Sequence, residues 1–305
     1  MRDNLRSQVI QLMRAASTEI TVSDEPLLPA LKANLPAGSS VHVAHTPKNS
    51  LDQVVDISLK VQQTGLRACP HIVARRIQDE VSLRTALQSL AQGGVDQVLL
   101  VAGDRQPPLG SFSSTLEILD SGALVDAGIR RIGVAGHPDG HPAVDSLTLW
   151  QALADKQRYG ERTGISVQIV SQFSFNPDAV YAWQRDLASH GITLPVRVGI
   201  AGPTPLIKLL QFAVRCGVGT SVRTAAQALA SAKSVSNLAT SPEQHVLGLA
   251  RAHDAGDYAQ LTAPHFFAFG GTLKTVQWMH RLAEGGFEVD GELKLAAGME
   301  RMADG

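Results

Sequence analysis

The amino-acid sequence predicts a (β/α)₈ TIM barrel, an α/β fold. The first observation is that short apolar runs alternate with longer segments of helical period along almost the whole chain, which is typical of repeated βα units. The second is that eight such runs occur, and the first seven follow one another at intervals of about 20 to 35 residues. The third is size, because 305 residues that are 44% hydrophobic suit one barrel domain. An open, doubly wound sheet is the alternative that this alternation leaves open.

The individual elements follow in order from the apolar runs and the residues that flank them. Predicted strands cover residues 19–22, 40–44, 68–73, 97–101, 131–135, 166–171, 196–200 and 265–269. Predicted helices between them include residues 50–64, 82–92, 146–163, 177–190 and 203–216. Most of these helices begin near a Ser, Asn or Pro and end near a Gly, as helix capping requires.

Further segments complete the predicted single domain over residues 1–305. Residues 1–17 are expected to form an N-terminal helix. Extra helices over 224–239 and 241–254 occupy the long gap before the eighth strand. The C-terminal tail over 285–305 is expected to be a helix with a frayed end. No stretch rich in Pro, Gly or Ser marks a hinge between domains.

Composition and charge favour a small-molecule substrate. The 27 Lys and Arg nearly balance the 28 Asp and Glu, so no long-range field would gather nucleic acid or an anionic membrane surface. Cys69 and Cys216 stand far apart without a Cys/His cluster, which argues against a disulfide framework or a zinc site. No stretch approaches the roughly 20 apolar residues of a membrane span, and the N-terminus lacks a signal-like apolar region. We expect a cytoplasmic protein, and the sequence leaves a homo-oligomer open.

Polar residues cluster directly after the predicted strands, where barrels bind their ligands. After the fourth strand, Gly103 permits a tight turn and Asp104 emerges beside Arg105. A capped turn with a solvated ion pair is the structural alternative. After the fifth strand, His137 and His141 lie in a Pro-Gly loop, where helical spacing does not apply and no set of acidic ligands is near. This loop is therefore expected to bind a ligand rather than a metal.

Other candidate residues lie on or after four more strands. Glu19 lies on the first strand, where the barrel interior would bury its carboxyl, raise its pKa and make it a candidate proton donor near neutral pH. A satisfied core glutamate is the alternative. Gln172 and Phe173 follow the sixth strand, where an amide and a ring could grip a flat heterocycle. Thr46 follows the second strand, and His71 lies on the third.

Several common catalytic motifs are absent from the sequence. It has no GxGxxG after the first strand, and no GxxxxGK[ST], GxSxG or HExxH. The simplest Rossmann, P-loop, serine-hydrolase and zincin hypotheses therefore lack their motifs. We expect the chemistry to come from residues dispersed over several strand ends.

Five sequence blocks together resemble the methylenetetrahydrofolate reductase family. They are TEITVS, ACPHIVARRI, VLLVAGDRQPPLG, RRIGVAGHPDGHP and IVSQFSF, in that order. The similarity runs over residues 18–176 and returns faintly at HFFAF. The resemblance implies a barrel oxidoreductase that reduces 5,10-methylenetetrahydrofolate to 5-methyltetrahydrofolate with NADH or NADPH. Members usually bind FAD without a Rossmann motif and pass the hydride through it, after the imidazolidine ring of the folate has opened to an iminium.

The resemblance also implies roles for individual residues. Glu19 matches the acid that protonates the folate amine, and Asp104 matches the aspartate that contacts the pterin near the flavin. Gln172 matches the glutamine that binds folate, and Phe173 beside it is assigned to the same substrate. The positions assigned to the cofactor are Thr46, His71, Gly103, Arg105, His137 and His141.

Departures from the family pattern concentrate on the flavin side. Ala102 stands where the family has an arginine, and His137 replaces the tyrosine of the Tyr-Pro-x-x-His-Pro block. FAFGGT replaces the Thr-Leu-Asn turn after the eighth strand. Asp155 and Lys156 are adjacent where the family separates an Asp and a Lys by two turns, so both cannot face one ligand. Two alternatives follow, one in which FAD binds weakly and one in which nicotinamide transfers its hydride directly to the folate.

Two functions of other kinds stay open. A folate-dependent barrel methyltransferase would share the pterin contacts but would need no proton donor, so Glu19 argues against it. A non-catalytic folate-binding barrel would leave Glu19 and Asp104 without a role.

Overall fold

The computed structural model describes residues 2–174, 176–204, 242–256, 258 and 260–296. Eight parallel strands close into a barrel in chain order, from β1 to β8 and back to β1. This confirms the predicted (β/α)₈ barrel. The strands are β1 (Ser17–Ile20), β2 (Ser40–Val43), β3 (Arg67–Val73), β4 (Gln97–Val101), β5 (Arg131–Gly136), β6 (Ser166–Ser171), β7 (Val196–Ala201) and β8 (Leu261–Phe267).

Helices surround the barrel. They are α1 (Arg2–Ala15), α2 (Leu28–Asn34), α3 (Leu51–Gln63), α4 (Glu80–Gln92), α5 (Thr115–Asp120), α6 (Ala123–Asp126), α7 (Ser146–Thr163), α8 (Pro177–Ser189), α9 (Pro242–Asp254) and α10 (Thr272–Ala283), with 3₁₀ helices at Val22–Leu27 and Ala74–Arg76. The extra helix predicted over 241–254 is confirmed as α9. The one predicted over 224–239, and nearly all of the one predicted over 203–216, lie outside the described residues. Among the described residues, no helix combines the length and apolar character needed to cross a membrane.

Side-chain caps explain where the helices begin. Ser50 accepts a hydrogen bond from the Gln53 amide at 3.2 Å, and Gln53 accepts one from the Ser50 amide at 3.0 Å, which forms a capping box at the start of α3. Helix α4 begins two residues earlier than predicted because Asp79 is its cap and accepts from the Ser82 amide at 2.7 Å. Ser82, which the prediction placed at the start, is already inside the first turn.

The C-terminal segment differs from the prediction. Instead of a helix, residues after 285 form an antiparallel hairpin of β9 (Phe287–Asp290) and β10 (Glu292–Leu295). The reason is a two-residue alternation in which Phe287 and Leu293 are buried, while Gly291 turns the chain at a φ of 73°. Residues 297–305 lie outside the described part of the chain.

The core has two layers. Aliphatic side chains fill the large space between strands and helices, whereas a small separate apolar cluster of Cys69, Leu99 and Val170, with the partly buried Val101 packed against it, lies inside the barrel. Strand register places Gly133 beside Leu99 and Gly199 beside His265. A side chain at Gly199 would lie 2.2 Å from the Ser171 carbonyl oxygen, so the interior has no room for one there. The remaining interior positions are largely polar, and they form the floor of the site described next.

Candidate active site

The C-terminal ends of the eight strands meet on one face of the barrel, which we call the mouth. The predicted residues lie around this face. Glu19 is on β1, Thr46 follows β2, His71 is on β3, Gly103, Asp104 and Arg105 follow β4, His137 and His141 follow β5, and Gln172 and Phe173 follow β6.

Glu19 lies on the inner wall of the mouth. It pairs in register with His42 of β2, and side chains at paired positions of a parallel sheet point to the same side. Burial, with a smaller contribution from the negative charge of Asp24, raises the pKa of Glu19 to about 7. Near neutral pH a substantial share of the molecules therefore carries a proton on Glu19, as a proton donor requires.

Three histidines, of which His42 is the register partner of Glu19, form a cluster inside the barrel that we call the histidine floor. The His42 ring lies 5.6 Å from that of His71 and 4.4 Å from that of His265, centroid to centroid. Nδ1 of His265 is hydrogen-bonded to the Ser17 hydroxyl at 2.9 Å. Both ring nitrogens of His42, and Nε2 of His71, have no hydrogen-bond partner among the described residues. Burial lowers the pKa of His42 and of His265 well below the ordinary value and that of His71 to about 4, so the floor is polar but uncharged.

His42 and His265 were not predicted as part of the site. Each stands between apolar residues in a strand, in VHV and PHFF. The sequence signal that could have identified them is the alternation of side chains along a strand, because this alternation places each His on the interior face of its strand. Which strands face each other across the interior becomes known only once the barrel closes.

Asp104 follows a turn that only glycine can form. Gly103 has a φ of 88°, and a Cβ there would lie 2.4 Å from Cγ1 of Val73, which confirms the predicted tight turn. The Asp104 side chain is 83% exposed and pairs with Arg76 at 3.0 Å. A solvated ion pair at Asp104 was the structural alternative, and the structure shows one, although its partner is not the adjacent Arg105. Arg76, which follows β3 and is only 14% exposed, forms the pair instead.

The loop that carries Asp104 is fixed to the loop after β3. The Arg75 amide donates to the Ala102 carbonyl at 3.0 Å, and the Leu109 amide donates to the Arg75 carbonyl at 2.9 Å. The Arg75 guanidinium adds a bond to the Ser113 carbonyl at 2.9 Å. Asp104 is thus exposed to solvent while the backbone around it is held from two sides.

The loop after β5 holds its two histidines close together. The rings of His137 and His141 meet edge to face with centroids 5.0 Å apart. Burial lowers the pKa of His137 to about 4, with smaller contributions from the charges of His141 and Lys156. Lys156 is only 8% exposed, and its burial lowers its own pKa to about 8. Asp155 pairs with Arg158 instead, so the two adjacent residues face different sides of α7, as their spacing predicts.

Gln172 is positioned by the residue that follows it. Its Oε1 accepts a hydrogen bond from the Phe173 amide at 3.1 Å, which directs the side-chain nitrogen the other way. Phe173 itself has no exposed surface, and its ring packs against Phe267 at 5.7 Å and Phe269 at 5.0 Å. The geometry therefore does not support stacking of a ligand on Phe173. Of these three residues, Phe267, which the sequence analysis missed, is the most exposed.

Thr46 belongs to the turn between β2 and α3. Its hydroxyl donates to Oδ1 of Asn49 at 2.5 Å and accepts from the Lys48 amide at 3.4 Å. These bonds fix the turn at the mouth. They do not test the predicted cofactor contact.

A comparison with protein families identifies the chain. The model of the family described as methylenetetrahydrofolate reductase matches residues 30–222, which is more than half of the sequence. The match includes Asp104 and Gln172, whereas Glu19 lies before it. It supports an oxidoreductase of folate chemistry and agrees with the closed eight-stranded barrel. The chain belongs to the methylenetetrahydrofolate reductase family.

Proposed function

We propose that this protein reduces 5,10-methylenetetrahydrofolate to 5-methyltetrahydrofolate with NADH or NADPH. Family membership supports the general class of reaction. The observation that carries the specific proposal is Glu19, a carboxyl on the inner wall of the mouth whose pKa of about 7 lets it hold a proton near neutral pH.

In this proposal Glu19 starts the reaction. It donates its proton to the folate amine, the bond between that nitrogen and the methylene carbon breaks, and the imidazolidine ring opens to an iminium cation. Hydride then adds to the methylene carbon and gives the methyl group. When bound, the nicotinamide supplies this hydride, either directly or through FAD.

Two polar residues of the mouth bind and stabilise the folate. The carboxylate of Asp104 provides a negative charge where the iminium cation develops, and its fixed loop holds that charge in place before the reaction. The side-chain nitrogen of Gln172 donates to the pterin, because Oε1 is already occupied by the Phe173 amide. Phe267 offers the partly exposed ring on this side of the mouth.

Lys156 fits the diphosphate of a dinucleotide. Its ammonium is nearly buried beside His137, and the neighbouring carboxylate of Asp155 is paired elsewhere. Among the described residues Lys156 forms no ion pair, and a buried cation of this kind is favourable for an anionic ligand. On the flavin side, by contrast, Ala102 and His137 stand where the family has an arginine and a tyrosine, so those two contacts are missing. These features suit a nicotinamide dinucleotide as well as they suit FAD.

The reaction itself is tested by incubating the purified protein with reduced nicotinamide and methylenetetrahydrofolate. Oxidation of the nicotinamide with one equivalent of methyl-folate formed supports the reductase. A methyltransferase would leave both the nicotinamide and the methylenetetrahydrofolate unchanged, and in a parallel incubation with methyl-folate and a methyl acceptor it would consume the methyl-folate without oxidising the nicotinamide. A binding barrel would retain folate without turnover.

The route of the hydride gives a separate prediction. If the flavin site is closed, we expect the protein to purify colourless and active without added FAD, and deuterium at C4 of the nicotinamide to appear in the product methyl group. If FAD binds weakly, dialysis should bleach the protein and added FAD should restore its activity. The label would then be diluted by exchange with solvent on the flavin. A yellow protein that keeps stoichiometric FAD through dialysis contradicts both routes.

A further inference from the structure

Asp24 joins two segments at the mouth. It lies in the 3₁₀ helix that follows β1, and its carboxylate accepts three hydrogen bonds. Thr21 donates its amide at 2.8 Å and its hydroxyl at 2.7 Å, and the hydroxyl of Thr272 donates at 3.0 Å. Thr272 is buried and is the first residue of α10. Asp24 therefore ties the segment after β1 to the segment after β8.

Those two segments flank Glu19. Strands β1 and β8 are neighbours that close the barrel, with Thr18 paired to Phe266 in register. Glu19 follows Thr18 directly, and Thr21, which Asp24 holds, comes two residues later. The negative charge of Asp24 reaches Glu19 and, after burial, is the second cause of the raised pKa of that carboxyl.

The other titratable groups that face Glu19 add little charge. His42 from β2, His71 from β3 and His265 from β8 all have a pKa lowered by burial, and they are neutral near pH 7. Arg197 lies deeper in the barrel, where its charge acts on His42 and His265. Among the described residues, Asp24 is thus the charged group that acts on Glu19.

We propose that Asp24 is a positioning residue for Glu19, which ties the first and last βα segments together and holds a fixed negative charge beside the Glu19 carboxyl. This inference rests on the proposed function, in which Glu19 must carry a proton when the folate arrives. A neighbouring like charge makes ionisation of Glu19 less favourable. Asp24 thereby extends the active range toward higher pH.

Asp24→Asn tests the proposal, because it removes the charge and keeps the shape. The main measurement is the titration of the Glu19 carboxyl by infrared difference spectroscopy, with the Glu19 band assigned by its loss in Glu19→Gln. We expect the midpoint to fall by about half to one pH unit relative to the wild type. In the folate reduction, kcat at pH 8 should fall about three- to tenfold, and kcat at pH 6 should change less than about twofold.

Two matched controls separate charge from structure. Glu25→Gln removes the adjacent exposed carboxylate, which pairs with Lys60 at 2.7 Å, and should leave the Glu19 midpoint unchanged. Thr272→Val breaks one of the three hydrogen bonds to Asp24 but keeps the charge, and it should leave the midpoint close to that of the wild type. If Asp24→Asn does not fold, the Glu19 titration is measured in Asp24→Ser, which also removes the charge and should lower the Glu19 midpoint in the same way.

An unchanged Glu19 midpoint in Asp24→Asn overturns the inference, as does an equal shift in Glu25→Gln. The infrared titration needs no turnover. A protein that fails to reduce methylenetetrahydrofolate would therefore refute the proposed function, while the titration would still decide whether Asp24 acts on Glu19.

Discussion

We expect Glu19→Gln to lower kcat for folate reduction by about 10²- to 10⁴-fold, the usual contribution of a positioned acid. Glutamine keeps the shape of the side chain and removes the proton, so the imidazolidine ring cannot be opened by this group. Because the amide is neutral, the substitution adds no charge to the inner wall. The folded state should persist, as measured by circular dichroism and the midpoint of thermal unfolding.

The pH dependence of the wild type provides an independent check of the same role. Glu19 acts in its protonated form, and burial raises its pKa to about 7. Activity should therefore be highest below that value and fall about tenfold for each pH unit above it. In Glu19→Gln this decline should disappear from the residual rate. Turnover within a few-fold of the wild type, or an unchanged decline, would remove Glu19 from the proton-transfer step.

The second large effect is expected for Asp104→Asn. Loss of one electrostatic stabiliser typically costs about 10- to 10³-fold in turnover, because the developing cation loses a fixed negative charge. The KM for folate should rise as well, since Asp104 is proposed to contact the pterin. Stability should change little, because an ion pair whose carboxylate is 83% exposed to solvent contributes about 0–1 kcal/mol.

Two control variants isolate the contribution of Asp104. Arg76→Met breaks the ion pair but retains the carboxylate, and it should reduce turnover far less than Asp104→Asn does. Asp126 of α6 has an exposed carboxylate that pairs with Arg84 of α4 at 2.6 Å. Asp126→Asn breaks this ion pair and should leave turnover unchanged. Equal losses in Arg76→Met and Asp104→Asn would mean that the ion pair, rather than the charge of Asp104, matters. Unchanged kcat and KM in Asp104→Asn would exclude Asp104 from the site.

The strands that were predicted most accurately are those whose ends are marked by local signals. Strands β4 and β6 have the predicted bounds. Strand β1 ends two residues earlier than predicted, because the bonds between Thr21 and Asp24 draw the chain into a 3₁₀ helix although Val22 is apolar. Strand β8 begins at Leu261, four residues before the predicted start at His265, and runs through Pro264. Proline lacks one backbone donor, yet neighbouring residues still pair with β7.

The candidate site was predictable to the same extent. Glu19, Asp104 and Gln172 could be found from the sequence because each stands at a strand end, and strand ends are local features. Their partners could not be found in this way. Arg76 reaches Asp104 from another loop, and Thr272 reaches Asp24 across 248 positions of the chain. Such pairs depend on register and barrel closure, which a local pattern does not encode.

The histidine floor has a consequence for the conditions under which this barrel can work. In the unfolded chain a histidine such as His71 binds a proton near pH 6.5, whereas in the folded barrel it does so only near pH 4. Between these values the histidine holds more protons in the unfolded state, so its contribution to the free energy of unfolding decreases as the pH falls, whereas Glu19, whose pKa is raised in the folded state, contributes in the opposite direction. In the proposed reaction, loss of the proton from Glu19 lowers activity on the alkaline side. The same small interior is therefore expected to act on both sides of neutrality, through the stability of the fold at acid pH and through the proton of Glu19 at alkaline pH.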